Sequence, residues 1–204
     1  MRLRLFLLLT AIAGVQLAGC GSGKLEKQDE TVRQAWAETM NQYQRRIDLV
    51  PDLLSRVPLL AEREPQVVAA VSEAHAGAQA VPLSPSLLDD SGAFARAQSG
   101  QMALGTALRE LVAAADRQSE LAADENYRDL RAQLHGLDGR IAMARKRYAE
   151  AVQAYNGSVN DFPSSLTAGM FDYEEKPALP ARTGTPESWP ALPGGETPKP
   201  LASN

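Results

Sequence analysis

The sequence predicts an all-α protein: an antiparallel up-and-down four-helix bundle with a long kinked first helix, a short second helix and a disordered Pro-rich C-terminal tail. Three observations predict it. Alanine and leucine are abundant while aromatic residues make up only 5% of the chain, a balance that favours helix because Ala and straight-chain residues lose least entropy on entering one. Apolar or small residues recur in alternating steps of four and three through Trp36, Met40, Tyr43, Ile47, Val50, Leu54, Val57 and Ala61, which marks a stripe for packing against other helices. Three later runs carry similar stripes, and their short joints demand antiparallel neighbours. With 204 residues, 44% of them hydrophobic and 23% charged, the chain has material for one core and some extras.

The first nineteen residues read as targeting. Arg2 and Arg4 form a positive start, Leu5 to Val15 a short apolar run, and Leu17-Ala18-Gly19-Cys20 sets small residues directly before the only cysteine. This resembles the bacterial lipobox, which implies cleavage of residues 1–19, a diacylglycerol thioether on Cys20, and palmitate or a similar acyl chain on the new amine. The alternatives are an ordinary secretory signal or an uncleaved membrane helix. A largely apolar run of eleven residues is short against the roughly 20 that a span needs, and an ordinary signal has no use for the Cys. Two or more acyl chains, at about 0.8 kcal/mol per buried CH₂, give a stable anchor. An acylated Cys20 leaves no thiol for a disulfide, a nucleophile or a metal. Losing Arg2 and Arg4 takes the formal charge from −4 to −6, so nucleic acid is not an expected partner. The expected location is a bacterial membrane, with the bundle in the periplasm or extracytoplasmic space. Gly21 rather than Asp after the cysteine resembles the signal for the outer membrane in an enterobacterium-like cell.

Residues 20–24 read as the lipidated Cys and a flexible tether through Gly21-Ser22-Gly23. Helix then runs from Lys24 to about Glu62, interrupted only by Pro51 and Pro58. Each lacks an N–H and crowds the preceding turn. A bend at both is expected because the stripe passes through them in phase; the alternative is a new helix starting at Pro51. A turn at Arg63-Glu64-Pro65 leads to a short helix from Pro65 to Gln79, with Val67, Val71, Ala74 and Ala78 inward. Val81-Pro82-Leu83-Ser84-Pro85 is expected to be extended. Ser91 is expected to cap a third helix reaching about Ala123, with Phe94, Ala97, Leu104, Leu108, Leu111 and Ala115 inward. Asp124 starts a fourth, striped by Tyr127, Leu130, Leu134, Leu137, Ile141, Ala144, Tyr148, Ala151, Tyr155 and Phe162, and ended by Pro163. Beyond Glu175 prolines recur every few residues, so residues 176–204 are expected to be disordered. Trp189 beside Pro190 offers a docking handle only on a functional reading of that tail.

Catalytic and metal chemistry has no sequence signature here. Bundles that hold paired metals use Glu-x-x-His, yet neither His75 nor His135 has Glu three residues before it, and Glu73 points away from His75. No Gly-rich phosphate loop precedes a helix and no nucleophile elbow is present. Arg45, Arg46, Arg140, Arg145 and Arg147 interleave with acids and read as a solvated, paired face. The expectation is no catalytic residue, no metal, no cofactor and no enzyme. The inward tyrosines Tyr43, Tyr127, Tyr148 and Tyr155 are the only polar groups offered to a ligand-binding or catalytic alternative. Leu49, Leu53 and Leu60 form a second apolar stripe roughly 100° to one side of the first. They either pack against a second neighbour or provide a docking surface for unknown envelope proteins.

Two long segments carry a family resemblance. Ala35-Trp36, then Tyr43-Gln44-Arg45-Arg46-Ile47-Asp48-Leu49-Val50-Pro51-Asp52-Leu53-Leu54, resemble the opening motif of the LemA family. Arg140-Ile141-Ala142 through Tyr155-Asn156, followed by Phe162-Pro163 and Leu166, resemble its last helix. The resemblance covers about residues 25–175. It implies a bacterial envelope protein with an antiparallel helical core outside the cytoplasmic membrane, in a family whose biochemical activity is poorly defined. The chain departs from the pattern at Asp52, at Pro58-Leu59-Leu60, at Gly139, and in having Cys20 where an N-terminal membrane helix is commoner.

Overall fold

The computed structural model describes residues 2–161, 165, 169 and 173–179, with side chains from residue 23 onward. Among the described residues every regular element is helical. In order these are α1 (Arg2–Arg56), α2 (Pro58–Arg63), α3 (Pro65–Gln79), a 3₁₀ turn (Pro85–Asp89), α4 (Ser91–Asp116), α5 (Ser119–Ala123) and α6 (Glu125–Asn160). Cys20, the lipobox residues and the signal segment lie outside the residues whose side chains are described, as do Phe162, Pro163 and Trp189. The backbone of α1 continues through Gly21-Ser22-Gly23, where a tether is expected. Glycine in a helix costs about 1 kcal/mol relative to Ala, and the helical residues on both sides outweigh it.

α1 packs along α6 and α3 along α4. Side-chain contacts fix the directions. Gln28 reaches Ala154, Glu38 meets Arg147 and Arg46 faces Asp138, so α6 runs against α1. Tyr43 reaches Gln98, Arg46 reaches Gln101 and Arg63 reaches Gln118. That constant offset shows the first and third segments running in the same direction, as diagonal partners do in an up-and-down bundle. α3 approaches α4 closely at Gly100, where a Cβ would meet the Gly77 carbonyl oxygen at 2.9 Å.

The prolines act differently from one another. Pro51 is accepted inside α1, whereas Pro58 breaks the helix at Val57 and opens α2 from its first position. The expectation of a simple bend at both is corrected. Proline at the first position loses no hydrogen bond that a helix would have made, so a reset costs less than a distorted turn. Beyond Pro51 the buried stripe also drifts. It runs Ile47, Val50, Leu53, Val57, Leu60, while Leu54 is half-buried and Ala61 exposed. Leu53 and Leu60 are each 0% exposed within a cluster that includes Val71 and Ala78 of α3, and half-buried Leu49 packs against it. Leu53 and Leu60 are therefore core and not a docking surface, and Leu49 packs at the margin of the same cluster. A bundle helix touches two neighbours, so its apolar face must be wide.

The third segment is capped by Asp90 rather than Ser91: its carboxylate accepts the Ala93 N–H at 2.8 Å. That segment stops at Asp116 and restarts as α5 after Arg117-Gln118. Asp124 caps α6 as expected, accepting the Tyr127 N–H at 2.7 Å. Every expected inward residue of α4 is buried. So is every described one of α6 except Ala151, whose place Val152 takes. From Pro85, the last residue of the stretch expected to be extended, the chain coils into a 3₁₀ turn (Pro85–Asp89), which buries Leu87 and Leu88. It closes one end of the bundle over Trp36, whose indole N–H donates to the Ser84 carbonyl at 3.1 Å. Trp36, Phe94 and Tyr148 meet there with centroids 5.0 to 5.8 Å apart.

The segment from Lys176 to Leu179 does not behave as a free tail. Residues 173–179 lie along the end of α6 in neither helix nor strand, and Tyr173 and Leu179 pack against the apolar cluster beneath. The boundary expected at residue 176 is thus corrected: four residues assigned to the tail are pinned. Prolines prevent a helix but leave carbonyls that side chains of α6 can bind. Truncation before Lys176 should therefore lower the thermal midpoint by several degrees, as the loss of three hydrogen bonds at about 1 kcal/mol each would. Truncation after Pro180 should leave it within about 1 °C, since composition gives that stretch nothing to bury. Scanning calorimetry of both shortened chains checks the pair, and equal midpoints would mean that the 176–179 contacts add no stability.

Candidate functional site

The apolar interior is divided in two. One cluster gathers Ile47 through Leu60 with Leu104 through Ala115 and Tyr127 through Leu134, and the other gathers Leu25 through Tyr43 with Phe94, Ala97 and Leu137 through Tyr155. At their junction lies a polar layer built from α1, α4 and α6. Arg46, only 6% exposed, crosses from α1 to α4 and donates through Nη2 to the Gln101 carbonyl at 2.6 Å and to Gln101 Oε1 at 2.8 Å. Its Nη1 stands 3.7 Å from Asp138 of α6, and its guanidinium lies 5.6 Å from the centre of the Tyr43 ring. One layer along, Tyr43 donates its hydroxyl to Gln98 Oε1 at 2.8 Å, and Arg145 donates to both, at 2.6 and 2.7 Å.

Gly105 makes this layer possible. A Cβ there would lie 2.9 Å from Arg46 Nη1 and 3.6 Å from Arg109 Nη1, so a side chain would displace the guanidinium from its present seat. Burial pushes the Arg46 pKa down to about 10, with Arg109 and Arg145 adding to the effect and Tyr43 and Asp138 opposing it; the group stays charged at neutral pH. A second pair lies deeper in the first cluster. Arg131 holds Asp116 at 2.8 Å, and the Tyr127 hydroxyl donates to the same carboxylate at 3.1 Å. Burial first and the Asp116 charge next raise the Tyr127 pKa well above the usual phenol range.

Chemically the layer is rich in donors. Its oxygens accept from protein groups, and the buried polar atoms without a partner are nitrogens: Arg46 Nε, Gln98 Nε2 and Gln101 Nε2. Nothing in it serves as a general base beside a nucleophile. Its geometry suits a device that ties three helices in register. Among the described residues no group of three or more His, Cys, Asp or Glu side chains is placed to hold a metal ion. His75 is spent on structure, its Nε2 lying 3.1 Å from the Ile47 carbonyl. Among the described residues no helix is long and apolar enough to cross a membrane.

The reading of the arginines as a solvated face holds for Arg45, which is exposed, and for Arg147, which is exposed and paired with Glu38. It fails for Arg46, with Arg140 and Arg145 half-buried. The signal was present. Between Ala97 and Leu104 the inward stripe of α4 has a gap, and Gln98 and Gln101 fill it at core spacing, with Gly105 just beyond, a polar break opposite a buried cation.

The second built site is the end of α6 under residues 173–179. Tyr155 donates to the Glu174 carbonyl at 3.0 Å and Tyr148 to the Pro177 carbonyl at 2.6 Å. The Asn156 amide pairs with both the N–H and the C=O of Lys176, at 2.9 Å each. Lys176 Nζ reaches between Asp29 and Asp89, at 3.5 and 3.4 Å. Burial pushes the Tyr155 pKa up to about 12, and burial alone raises that of Tyr148 further, so both hydroxyls keep their protons to donate.

Comparison with curated proteins finds no match to this chain. Comparison with protein families matches residues 35–191 to the LemA family. That range takes in the polar layer, α6 and the pinned segment, and extends past the limit of 175 expected from the motifs. With more than half of its length matched, the chain belongs to the LemA family.

Proposed function

We propose that this LemA-family protein is a lipid-anchored bacterial envelope protein, non-enzymatic, that presents its helical bundle to other envelope components as an interaction or scaffold protein. The observation that carries the reading is Leu17-Ala18-Gly19-Cys20, with the single cysteine where a lipobox requires it. The use of the buried polar groups supports it, since their hydrogen bonds join helices to one another. The three unpartnered buried nitrogens of the polar layer favour a second reading, a ligand-binding bundle.

Labelled palmitate tests the anchor. The wild type should incorporate label and sediment with membranes, and Cys20→Ala should abolish both. A wild type that binds membranes without label overturns lipidation. Pull-down with the intact lipoprotein, read by mass spectrometry, then separates the two readings. Enrichment of envelope proteins supports the scaffold, and co-purification of a small molecule alone supports the ligand-binding bundle.

A further inference from the structure

The end of α6 treats residues 173–179 as a receptor treats a peptide. Four hydrogen bonds run between its side chains and main-chain atoms: Tyr155 to Glu174, Tyr148 to Pro177, and the two of Asn156 with Lys176. None of them depends on the side chain of the bound residue. Tyr148 and Tyr155 are seven positions apart on the helix, about 10.5 Å. Their acceptors on Glu174 and Pro177 are three residues apart, and three residues span that rise of the helix only when extended, at about 10 Å. It runs against the direction of α6, because Glu174 meets the later tyrosine and Pro177 the earlier one.

Side chains add selectivity at four points, one of them the Glu175 carboxylate, which accepts from the Asn160 amide at 2.6 Å. Tyr173 and Leu179 rest on the apolar cluster, and Lys176 enters an acidic notch between Asp29 of α1 and Asp89 of the 3₁₀ turn. The notch is under-filled. Asp29 already holds Arg33 Nε through Oδ2 at 2.7 Å; the Lys176 distances of 3.4 and 3.5 Å nevertheless exceed those of a good charge-assisted bond, and the buried Asp29 Oδ1 and Gln28 Oε1 accept no hydrogen bond. The resident segment thus leaves acceptor capacity unused beside its one basic group.

We propose that this end of the bundle is a binding site for an extended polypeptide segment with a basic residue flanked three positions away on each side by apolar ones. In this reading the chain's own residues 173–179 are a resident competitor, and the partner is such a segment on another protein anchored at the same membrane. The placement argues for that partner. Asp29 is nine residues beyond Cys20 along a continuous helix, or about 14 Å, so the notch lies within the first layer above the bilayer. The membrane address rests on the lipid-anchor reading. The peptide site does not, so the two fail separately.

A covalently attached competitor acts at an effective concentration in the millimolar range, and weakening it must strengthen binding in trans. The probe is a fluorescein-labelled peptide of the sequence from Tyr173 to Leu179, added to the full-length, detergent-solubilised protein and read by anisotropy. Lys176→Glu in the protein should bind the peptide at least about tenfold more tightly than wild type. Adding Asn156→Ala to that chain, or replacing the peptide's lysine by glutamate, should remove the gain. Lys176→Met, which keeps most of the stem and loses the charge, gives the same comparison if Lys176→Glu folds poorly by circular dichroism. Folded Lys176 variants that bind no better than wild type overturn the proposal, as does binding indifferent to both Asn156 and the peptide lysine.

Discussion

Leu53→Glu is expected to leave the protein largely unfolded at 37 °C, or at best to cost several kcal/mol. Leu53 is 0% exposed, in the cluster shared by α1, α3 and α4. Two costs combine. Removing the leucine forfeits about 2 kcal/mol of apolar burial. The new carboxyl, without a partner there, must be buried charged or take up a proton at neutral pH, which adds a further ~2–4 kcal/mol. Against a typical total stability of about 5–15 kcal/mol, that decides the outcome. The sign with pH follows. The introduced group's folded pKa is raised above its unfolded value near 4.3, so its penalty is smallest below that value and grows as pH rises. Urea titrations at acid and neutral pH check both statements. Leu49→Glu should cost much less, because Leu49 is half-buried and its substituent can reach water. A Leu53→Glu protein melting like wild type would return this position to the surface.

Arg46→Ala should be the most damaging single change in the polar layer, at about 3–5 kcal/mol, the usual range for removing one partner of a buried ion pair. It strands the Gln101 carbonyl and side chain, leaves Asp138 without that cation, and opens a void beneath Tyr43. Arg46→Met separates charge from volume. Met refills the void but still leaves the Gln101 acceptors and Asp138 without the guanidinium, so it should recover only the packing part of the loss, about 1–2 kcal/mol. Gly105→Val reaches the same site from the facing helix, since any Cβ at that position collides with Arg46 Nη1. It should destabilise comparably in wild type and much less in the Arg46→Met background, a coupling that a double-mutant cycle measures directly. Additive effects would mean that Gly105 serves some purpose other than seating the guanidinium.

Leu53 and Arg46 also mark where local signals stop. Period alone fixed the helices: the three-four spacing of α4 and α6, Asp124 before Tyr127, and Pro65 at the head of α3 are local signals, and local hydrogen bonding enforces them. The same holds for the family, whose two motifs lie mainly within α1 and α6. What period could not fix was the direction each face finally takes. Leu53 and Leu54 are neighbours, both leucine, and equally suited to a core. Leu53 is the one fully buried because its side of α1 meets the cluster formed with the other helices, which is a property of the partner helices and not of α1. Arg46 looked solvated because its own helix surrounds it with polar residues. Its burial depends on the space above Gly105 and the acceptors of Gln101, some fifty-five positions away. Prolines made residues 176–179 look free, and they do forbid a helix, but a chain without its own hydrogen bonds is also one whose carbonyls Tyr148 and Asn156 can take. The sequence by itself determined the helical segments, the lipobox-like start and the family. Tertiary structure decided which polar groups are buried together and which stretch of the tail is held, because both depend on contacts between residues far apart in the chain.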